Sequence, residues 1–331
     1  MKLGIVGSGM IVKDFLPVTS YLKETELTAI CGTKETKEEL NELSVKYGIK
    51  QVFVSYDDFL KSEIDTVYVA VPNHLHFKFA KMALEAGNNV IVEKPFTSNY
   101  KEALILSELA KEKRLFIFEA TTTPYLPNYK KIKELLPSLG DIKIVQCNYS
   151  RSSSRYKSFQ EGVVLPAFDL KASGGALMDL NIYNIHYVVG LFGRPKNVEY
   201  FPNIERGIDT SGILILEYET FKCTCVAAKD CTAPVANNIQ GVEGCIHQTS
   251  AANNCKDFEL IMNDGTRTII NENNYNHRMI YEFHEFEDAI SNQQNLDKCY
   301  QMLKHTLVVS EVQTLARSKA GIVFQADIDI K

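Results

Sequence analysis

The stretch "VIVEKP", residues 90–95, ends an apolar run on a carboxylate, an ammonium and a proline, Glu93, Lys94 and Pro95. Three β-branched residues in a row read as a buried strand, so the charged pair stands at a strand tip. A lysine held there, partly out of water, is more than a surface charge: an ammonium favours the ionised form of a neighbouring acid. Pro95 admits a cis bond at a cost of only about 0.5–1 kcal/mol, which would fix the lysine's direction. Far along the chain, "GGALMDLNIYNIHYVVG" (174–190) predicts a helix in which Asp179, Tyr183 and His186 recur at i, i+4 and i+7. That spacing puts a carboxylate, a phenol and an imidazole on one narrow face, with Leu177, Leu180, Ile185 and Val188 on the others. A core helix with a solvated edge would show the same stripe. The strand-tip lysine is what favours proton chemistry.

The elements that must position these groups are legible around them. Residues 1–121 alternate short apolar runs with amphipathic stretches: "KLGIVG", "LTAIC", "QVFVS", "DTVYVAV", "NVIV" and "LFIFEA" as strands, "KEELNELSVKYG", "HFKFAKMALEAG" and residues 100–113 as helices. The last helix has Thr97, Ser98 and Asn99 as capping candidates. This alternation is the signature of βαβ units and a doubly wound parallel sheet. "GIVGSGMIV" sets Gly7-x-Gly9 between the first strand and a helix, where glycines let phosphate oxygens approach backbone N–H groups. Val12 stands where the third small residue of that fingerprint belongs. A Rossmann NAD(P)-binding domain is expected. Its cofactor-binding residues are Gly7, Gly9, Met10 and Ile11 after the first strand, and Thr33 and Lys34 after the second. Pro72, Asn73 and His76 follow the fourth, and Glu93 and Lys94 end the fifth. A carboxylate at the tip of the second strand favours NAD; here the tip is Cys31-Gly32-Thr33-Lys34, with the acid delayed to Glu35. NADP is therefore expected in preference to NAD.

After residue 121 the grammar changes. Helical patterns at 126–136 and 175–191 flank a strand, "IKIVQCNYS". Strands then follow one another: "GILILEYE", "FKCTCVAAK", "GCIHQTS", "FELIMN" and "TRTII", the last two joined by a hairpin turn at Asn263-Asp264-Gly265. Two helical patterns close the chain, one carrying Met279, Phe283, Phe286 and Ile290, the other running from Cys299 to Ala316. Residues 122–331 read as an α+β substrate-binding domain with a large, mostly antiparallel open sheet.

Composition narrows the class. With 331 residues, 45% hydrophobic and 23% charged, the chain is an ordinary globular protein long enough for two domains. A net charge of −5 argues against nucleic-acid and anionic-membrane partners. The broken N-terminal apolar run argues against a signal peptide, and no apolar stretch is long enough for a membrane span. Eight cysteines without an export signal are read as reduced, buried thiols in a cytoplasmic protein; alternation puts Cys223 and Cys225 on one strand face. No set of ligands is spaced for a metal, and "PNHLH" is not read as a metal pair.

"VPNHLH" (71–76), "ALEAG" (83–87) and "EKP" (93–95), at this spacing, resemble the Gfo/Idh/MocA (glucose–fructose oxidoreductase / inositol dehydrogenase) family. "SSSRY" (152–156), "GGALMDLNIYNIHYVVGLFGRP" (174–195), "IQGVEGCI" (239–246) and "YEFHEFEDAI" (281–290) extend the resemblance nearly end to end. It implies hydride exchange between NAD(P) and a hydroxyl-bearing or carbonyl carbon of a sugar, cyclitol or diol. It also implies a second domain whose open sheet often forms the interface of a homodimer or a dimer of dimers. Lys94 matches the lysine of the EKP motif. Asp179 matches the family's aspartate, and Tyr183 its His-or-Tyr position four residues later. Tyrosine there is similar to glucose–fructose oxidoreductase and the dimeric dihydrodiol dehydrogenases, which tend to use NADP. Asn181, where a glycine is usual, leaves substrate identity open.

The catalytic expectation is a trio of Lys94, Asp179 and Tyr183. A free tyrosine has a pKa near ~10, too high for an efficient base at neutral pH, and a nearby ammonium lowers it. Tyr183 would then exchange the hydroxyl proton, Lys94 would hydrogen-bond the substrate oxygen, and Asp179 would orient substrate or lysine. In the reverse assignment Lys94 is the proton donor and Tyr183 orients it. Tyr125, Arg155, Tyr156 and His186 are candidate substrate-binding residues. Two other classes fit the scaffold: a catalytically silent NAD(P)-binding regulator, and a nucleotide-dependent glycoside hydrolase. The proton-transfer groups argue against the first, since a sensor need not keep them.

Overall fold

Strands β1 (Lys2–Val6), β2 (Glu26–Cys31), β3 (Gln51–Phe53), β4 (Thr66–Val69), β5 (Asn89–Glu93) and β6 (Ile117–Ala120) pair in parallel in a computed structural model that describes residues 1–329. Their order is β3-β2-β1-β4-β5-β6. Val67, Val69, Val90 and Val92 are buried on one face of the sheet and Tyr68 and Ile91 on the other, which is why these strands read as unbroken apolar runs rather than alternating ones. The order reverses between β1 and β4, and ligands of open α/β sheets bind at the carboxyl ends beside such a switch. The helix Lys37–Tyr47 stops at Gly48, whose φ of 70° suits a residue without Cβ. Of the three capping candidates for the helix Tyr100–Lys113, Asn99 is the cap. Its Oδ1 accepts the Glu102 N–H at 2.9 Å, and Glu102 Oε2 accepts the Ser98 N–H at 2.9 Å in return. The Lys94–Pro95 bond is cis.

Residues 1–120 form one compact unit together with residues 279–307. The division of the sequence at 121/122 assigns the latter stretch to the second domain, but its apolar face belongs to the first. Phe283, on the helix Met279–Ser291, lies with ring centroids 4.1 Å from Phe15 and 5.3 Å from Tyr68. Glu287 accepts hydrogen bonds from the N–H groups of Lys23 and Glu24 and from the Thr25 hydroxyl. Leu303 joins the core that holds Val67, Val90 and Leu106.

The second unit, residues 121–278 and 308–329 of the described chain, carries the larger sheet. Its strands are β7 (Ile142–Ser150), β8 (Asn197–Glu205), β9 (Ile208–Glu217), β10 (Lys222–Ala228), β11 (Ala236–Gly241), β12 (Gly244–Gln248), β13 (Phe258–Met262) and β14 (Arg267–Ile270). They run in the order β14-β13-β12-β11-β7-β10-β9-β8, antiparallel except for the β7–β10 pair. The Asn263-Asp264-Gly265 turn joins β13 to β14 as expected. Strands β8 and β11 lack a sequence signal. Pro202 interrupts β8, which is tolerated because β8 is an edge, and "ANNIQG" is poor in β-formers. Alternation divides the sheet cleanly. Val145, Cys147, Leu214, Cys223, Cys225 and Ala227 are buried, while Ile144, Phe201 and Ile213 point outward and are exposed.

The helix over the buried face departs from the regular one expected. Leu177–Asn181 is a π-helical turn, followed by the α-helix Ile182–Phe192. Asn181 explains its own presence: its Nδ2 donates to the Cys225 carbonyl at 3.0 Å, and its Oδ1 accepts from Asn184 Nδ2 at 3.0 Å. An amide thereby ties the turn to β10. The cysteines are free thiols, buried apart from exposed Cys231 and half-buried Cys245. Among the described residues no helix is long and apolar enough to cross a membrane.

Candidate active site

In the first unit the candidate cofactor residues share the carboxyl edge of the parallel sheet. Gly7 donates its N–H to the Cys31 carbonyl at 2.8 Å and has a φ of +119°. A Cβ there would fall 2.2 Å from the Ala70 carbonyl oxygen, so the turn after β1 passes the tip of β4 at a distance only glycine permits. At Gly9 a Cβ would meet nothing within 4 Å, which leaves the turn open for a phosphate to approach. Val12 is fully buried, Met10 exposed and Ile11 half-buried. Beyond β2, Thr33 and Lys34 are exposed, and Thr36 Oγ1 accepts the Thr33 N–H at 3.0 Å. The Glu35 carboxylate is held below its ordinary range chiefly by a hydrogen bond from the Thr33 side chain. These residues fit a dinucleotide, with an exposed hydroxyl and ammonium rather than a carboxylate at the strand tip.

Pro72 is exposed and Asn73 half-buried after β4. His76 does not join them. It is 1% exposed, and its ring nitrogens face two carbonyls, Nδ1 toward Pro95 and Nε2 toward Val71, each at 2.8 Å. Burial pushes its pKa down against the pull of both carbonyls. His76 is a buried bridge between the chain after β4 and the chain after β5. At the tip of β5, Glu93 is buried and accepts the Tyr68 hydroxyl at 2.5 Å, while Lys94 is half-buried.

In the second unit, Asp179 lies in the π-helical turn and Tyr183 in the first turn of the helix that follows. Both are half-buried, and the Tyr149 ring of β7 stands 6.0 Å from that of Tyr183. His186 leaves the stripe: it is fully buried. One extra residue in the turn rotates Asp179 relative to Tyr183, so the even i, i+4, i+7 face is not kept. Tyr125 is buried. Arg155 is half-buried, its N–H on Ser153 Oγ at 3.2 Å. Tyr156 donates its hydroxyl to Glu205 at 2.8 Å, and that bond to a carboxylate raises its pKa.

Two residues that sequence reasoning passed over complete this cluster. Lys229, 2% exposed, forms an ion pair with Asp179 Oδ2 at 2.9 Å and donates to the Ala167 carbonyl at 2.5 Å. Its ammonium also lies 4.4 Å from the centroid of the Phe168 ring. Asp209 accepts the Leu177 N–H and the Tyr200 hydroxyl, each at 2.7 Å, and so ties the start of the π-helical turn to β9. Burial pushes its carboxyl up to about 6, against the Leu177 and Tyr200 hydrogen bonds and the Lys229 charge. Gly175 makes room for it: a Cβ there would fall 2.0 Å from Asp209 Oδ1, at a φ of +104°. The signal for Lys229 was present in "FKCTCVAAKD". The alternation that buries Cys223, Cys225 and Ala227 continues to residue 229, and a lysine on a buried face requires a counter-charge.

Known proteins resemble this chain over nearly its whole length. The family model described as an oxidoreductase family with an NAD-binding Rossmann fold, Gfo/Idh/MocA, matches residues 1–121. The scyllo-inositol 2-dehydrogenase (NADP(+)) IolU of Bacillus subtilis (strain 168) is 31% identical over 329 residues, 99% of either chain. The trans-1,2-dihydrobenzene-1,2-diol dehydrogenase of Macaca fuscata fuscata is 26% identical over 247 residues, 71% of this chain and 72% of its own. Among solved structures, the 3-ketoreductase KijD10 of Actinomadura kijaniata, in complex with NADP and TDP-benzene, superposes with a TM-score of 0.82. The two chains are 18% identical, with 96% of this chain and 97% of the other covered, a likeness of fold alone.

Proposed function

The chain belongs to the Gfo/Idh/MocA oxidoreductase family, and on that footing we propose that it is an NADP-dependent dehydrogenase or reductase acting on a CH–OH carbon of a cyclitol or related diol. The observation that carries the reading is the match over 329 residues to a cyclitol dehydrogenase named for NADP(+), taken with the presence of Lys94, Asp179 and Tyr183. The exposed Thr33 and Lys34, with no carboxylate between them and the end of β2, support NADP over NAD.

NADP, when bound, exchanges a hydride with the substrate carbon. The chain binds, orients and handles the proton. The open turn at Gly7–Gly9 would hold the pyrophosphate through backbone N–H groups, and Thr33 and Lys34 would meet the 2′-phosphate. Lys94 would hydrogen-bond the substrate oxygen, and an ammonium brought beside the Tyr183 phenol would favour its phenolate. Tyr183 takes up or returns the hydroxyl proton at its phenolic oxygen. Asp179 orients the substrate by accepting a hydrogen bond from it.

A screen of scyllo-inositol, trans-1,2-dihydrobenzene-1,2-diol, aldoses and polyols with each cofactor, read by nicotinamide absorbance, tests the activity. Lys94→Met and Tyr183→Phe are expected to lower kcat by about 10²–10⁴-fold, with NADP still bound in calorimetry. Turnover near the parent's in both variants would remove the proton-transfer assignment. The reading includes a homodimer through the outer face of the second sheet. Its support is the row in which exposed Phe201 and Ile213 pair across β8 and β9. A sedimentation experiment returning only monomer would exclude it.

A further inference from the structure

We propose that Lys229 is a positioning residue of this active site, holding Asp179 as an oriented, ionised carboxylate that accepts hydrogen bonds and takes no part in proton transfer. The inference rests on the role given to Asp179 above.

The geometry is that of a built site. Lys229 is 2% exposed and Asp179 34%, so the ammonium lies behind the carboxylate, out of water, while the carboxylate stands at the boundary. Three contacts fix the ammonium: Asp179 Oδ2 at 2.9 Å, the Ala167 carbonyl at 2.5 Å and the face of Phe168 at 4.4 Å. The main chain around it is equally constrained. Lys229 N–H donates to the Thr210 carbonyl at 2.8 Å, and its carbonyl accepts the Ser153 N–H at 2.8 Å. The Ala167 carbonyl also accepts the Gly175 N–H at 3.2 Å, so one acceptor serves both the lysine and the turn that leads into Asp179.

Desolvating a lysine is costly, and an apolar side chain of similar volume would pack against Phe168 without that cost. What the cation adds is an effect on its partner. The Asp179 N–H donates to the Gly175 carbonyl at 3.1 Å and so fixes the backbone of the turn, while the ammonium, 2.9 Å from Oδ2, fixes the side chain. A carboxylate held in its ionised form is an acceptor only. It therefore reads a hydroxyl on the substrate, and the proton exchanged in the reaction stays with Lys94 and Tyr183. The substrate class this implies carries a second hydroxyl near the reacting carbon, as a cyclitol does.

The test is a double-mutant cycle on kcat/KM with scyllo-inositol, or with the best diol from the screen if that is not turned over, using Lys229→Met, Asp179→Asn and the double variant. Asn keeps an oxygen for the ammonium, and the double variant removes the buried charge altogether. Circular dichroism and NADP affinity, read by calorimetry, report folding. Because a displacement of about 1 Å costs roughly 10²-fold, Lys229→Met is expected to lower kcat/KM by about 10–10²-fold, with NADP affinity within about twofold of the parent. In the Asp179→Asn background the same change should cost less than about threefold. An equal loss in both backgrounds would overturn this inference alone, since the lysine would then act on structure. An Asp179→Asn variant with parental kcat/KM would overturn the role of Asp179 as well.

Discussion

Replacing Asp209 with asparagine should make the stability of the second unit depend differently on pH, in a direction the geometry fixes. The carboxyl titrates at about 6 when folded, against an ordinary 3.8, because burial outweighs the Leu177 N–H, the Tyr200 hydroxyl and the Lys229 charge. A raised pKa means that the folded state binds this proton more tightly than the unfolded one. The stability that comes with it is fully present below about pH 4 and is lost as pH rises through about 6. A difference of roughly two pH units is worth about 3 kcal/mol. Asparagine has no proton to lose and keeps an oxygen for Leu177 and Tyr200. The unfolding free energy of Asp209→Asn minus that of the parent should therefore increase by about 2.4 kcal/mol from pH 4 to pH 7.5. Any hydrogen bond that the amide makes badly adds a constant and leaves that slope untouched. The assay is urea unfolding followed by far-ultraviolet circular dichroism at several pH values, a suitable probe because the chain has no tryptophan. A difference that stays flat between pH 4 and 7.5 would refute the burial argument. In Lys229→Met the inflection should move to higher pH, since a charge that holds Asp209 down has gone.

Two further outcomes are expected. Gly175→Ala places a methyl group 2.0 Å from Asp209 Oδ1 at a φ of +104°, so strain and overpacking should cost about 2–5 kcal/mol; an unchanged thermal midpoint would show that the turn is not constrained as described. Lys34→Asp puts a carboxylate at the tip of β2, where it repels a 2′-phosphate and suits a free ribose. KM for NADP should rise by about tenfold or more while KM for NAD falls, and an unaltered ratio of the two would move the phosphate contact elsewhere.

The first unit was readable because its signals are local. Strands such as β4 and β5 are nearly unbroken apolar runs, helices carry a stop such as Gly48 or a cap such as Asn99, and Gly7 marks a backbone approach that no other residue tolerates. The site was readable only as far as periodicity holds. Lys94 announced itself because a charge at the end of "VIV" is conspicuous. His186 looked like a site residue because it follows Tyr183 at i+3 in the α-helix Ile182–Phe192, yet at that position the fold closes over it completely, while the π-helical turn at Leu177–Asn181 shifts Asp179 relative to both. His76 fell in a motif but spends both ring nitrogens on backbone carbonyls. Asp209 had no signal at all, since a single acid at the start of a strand looks like any exposed one until the fold closes over it. Strand β8 was hidden by Pro202 and β11 by its asparagines; what defines them is the neighbouring strand, which a one-dimensional reading does not contain.

The return of residues 279–307 to the first unit bears on how the protein is made. On the ribosome, the parallel sheet emerges long before the helix that brings Phe283 to Phe15 and Tyr68. At about 5–20 residues per second, the nascent Rossmann sheet waits on the order of 10–30 s with that apolar surface uncovered. A fragment ending at residue 121 would remain in that state permanently, so a soluble cofactor module cut from this protein needs the distant helical segment supplied as well.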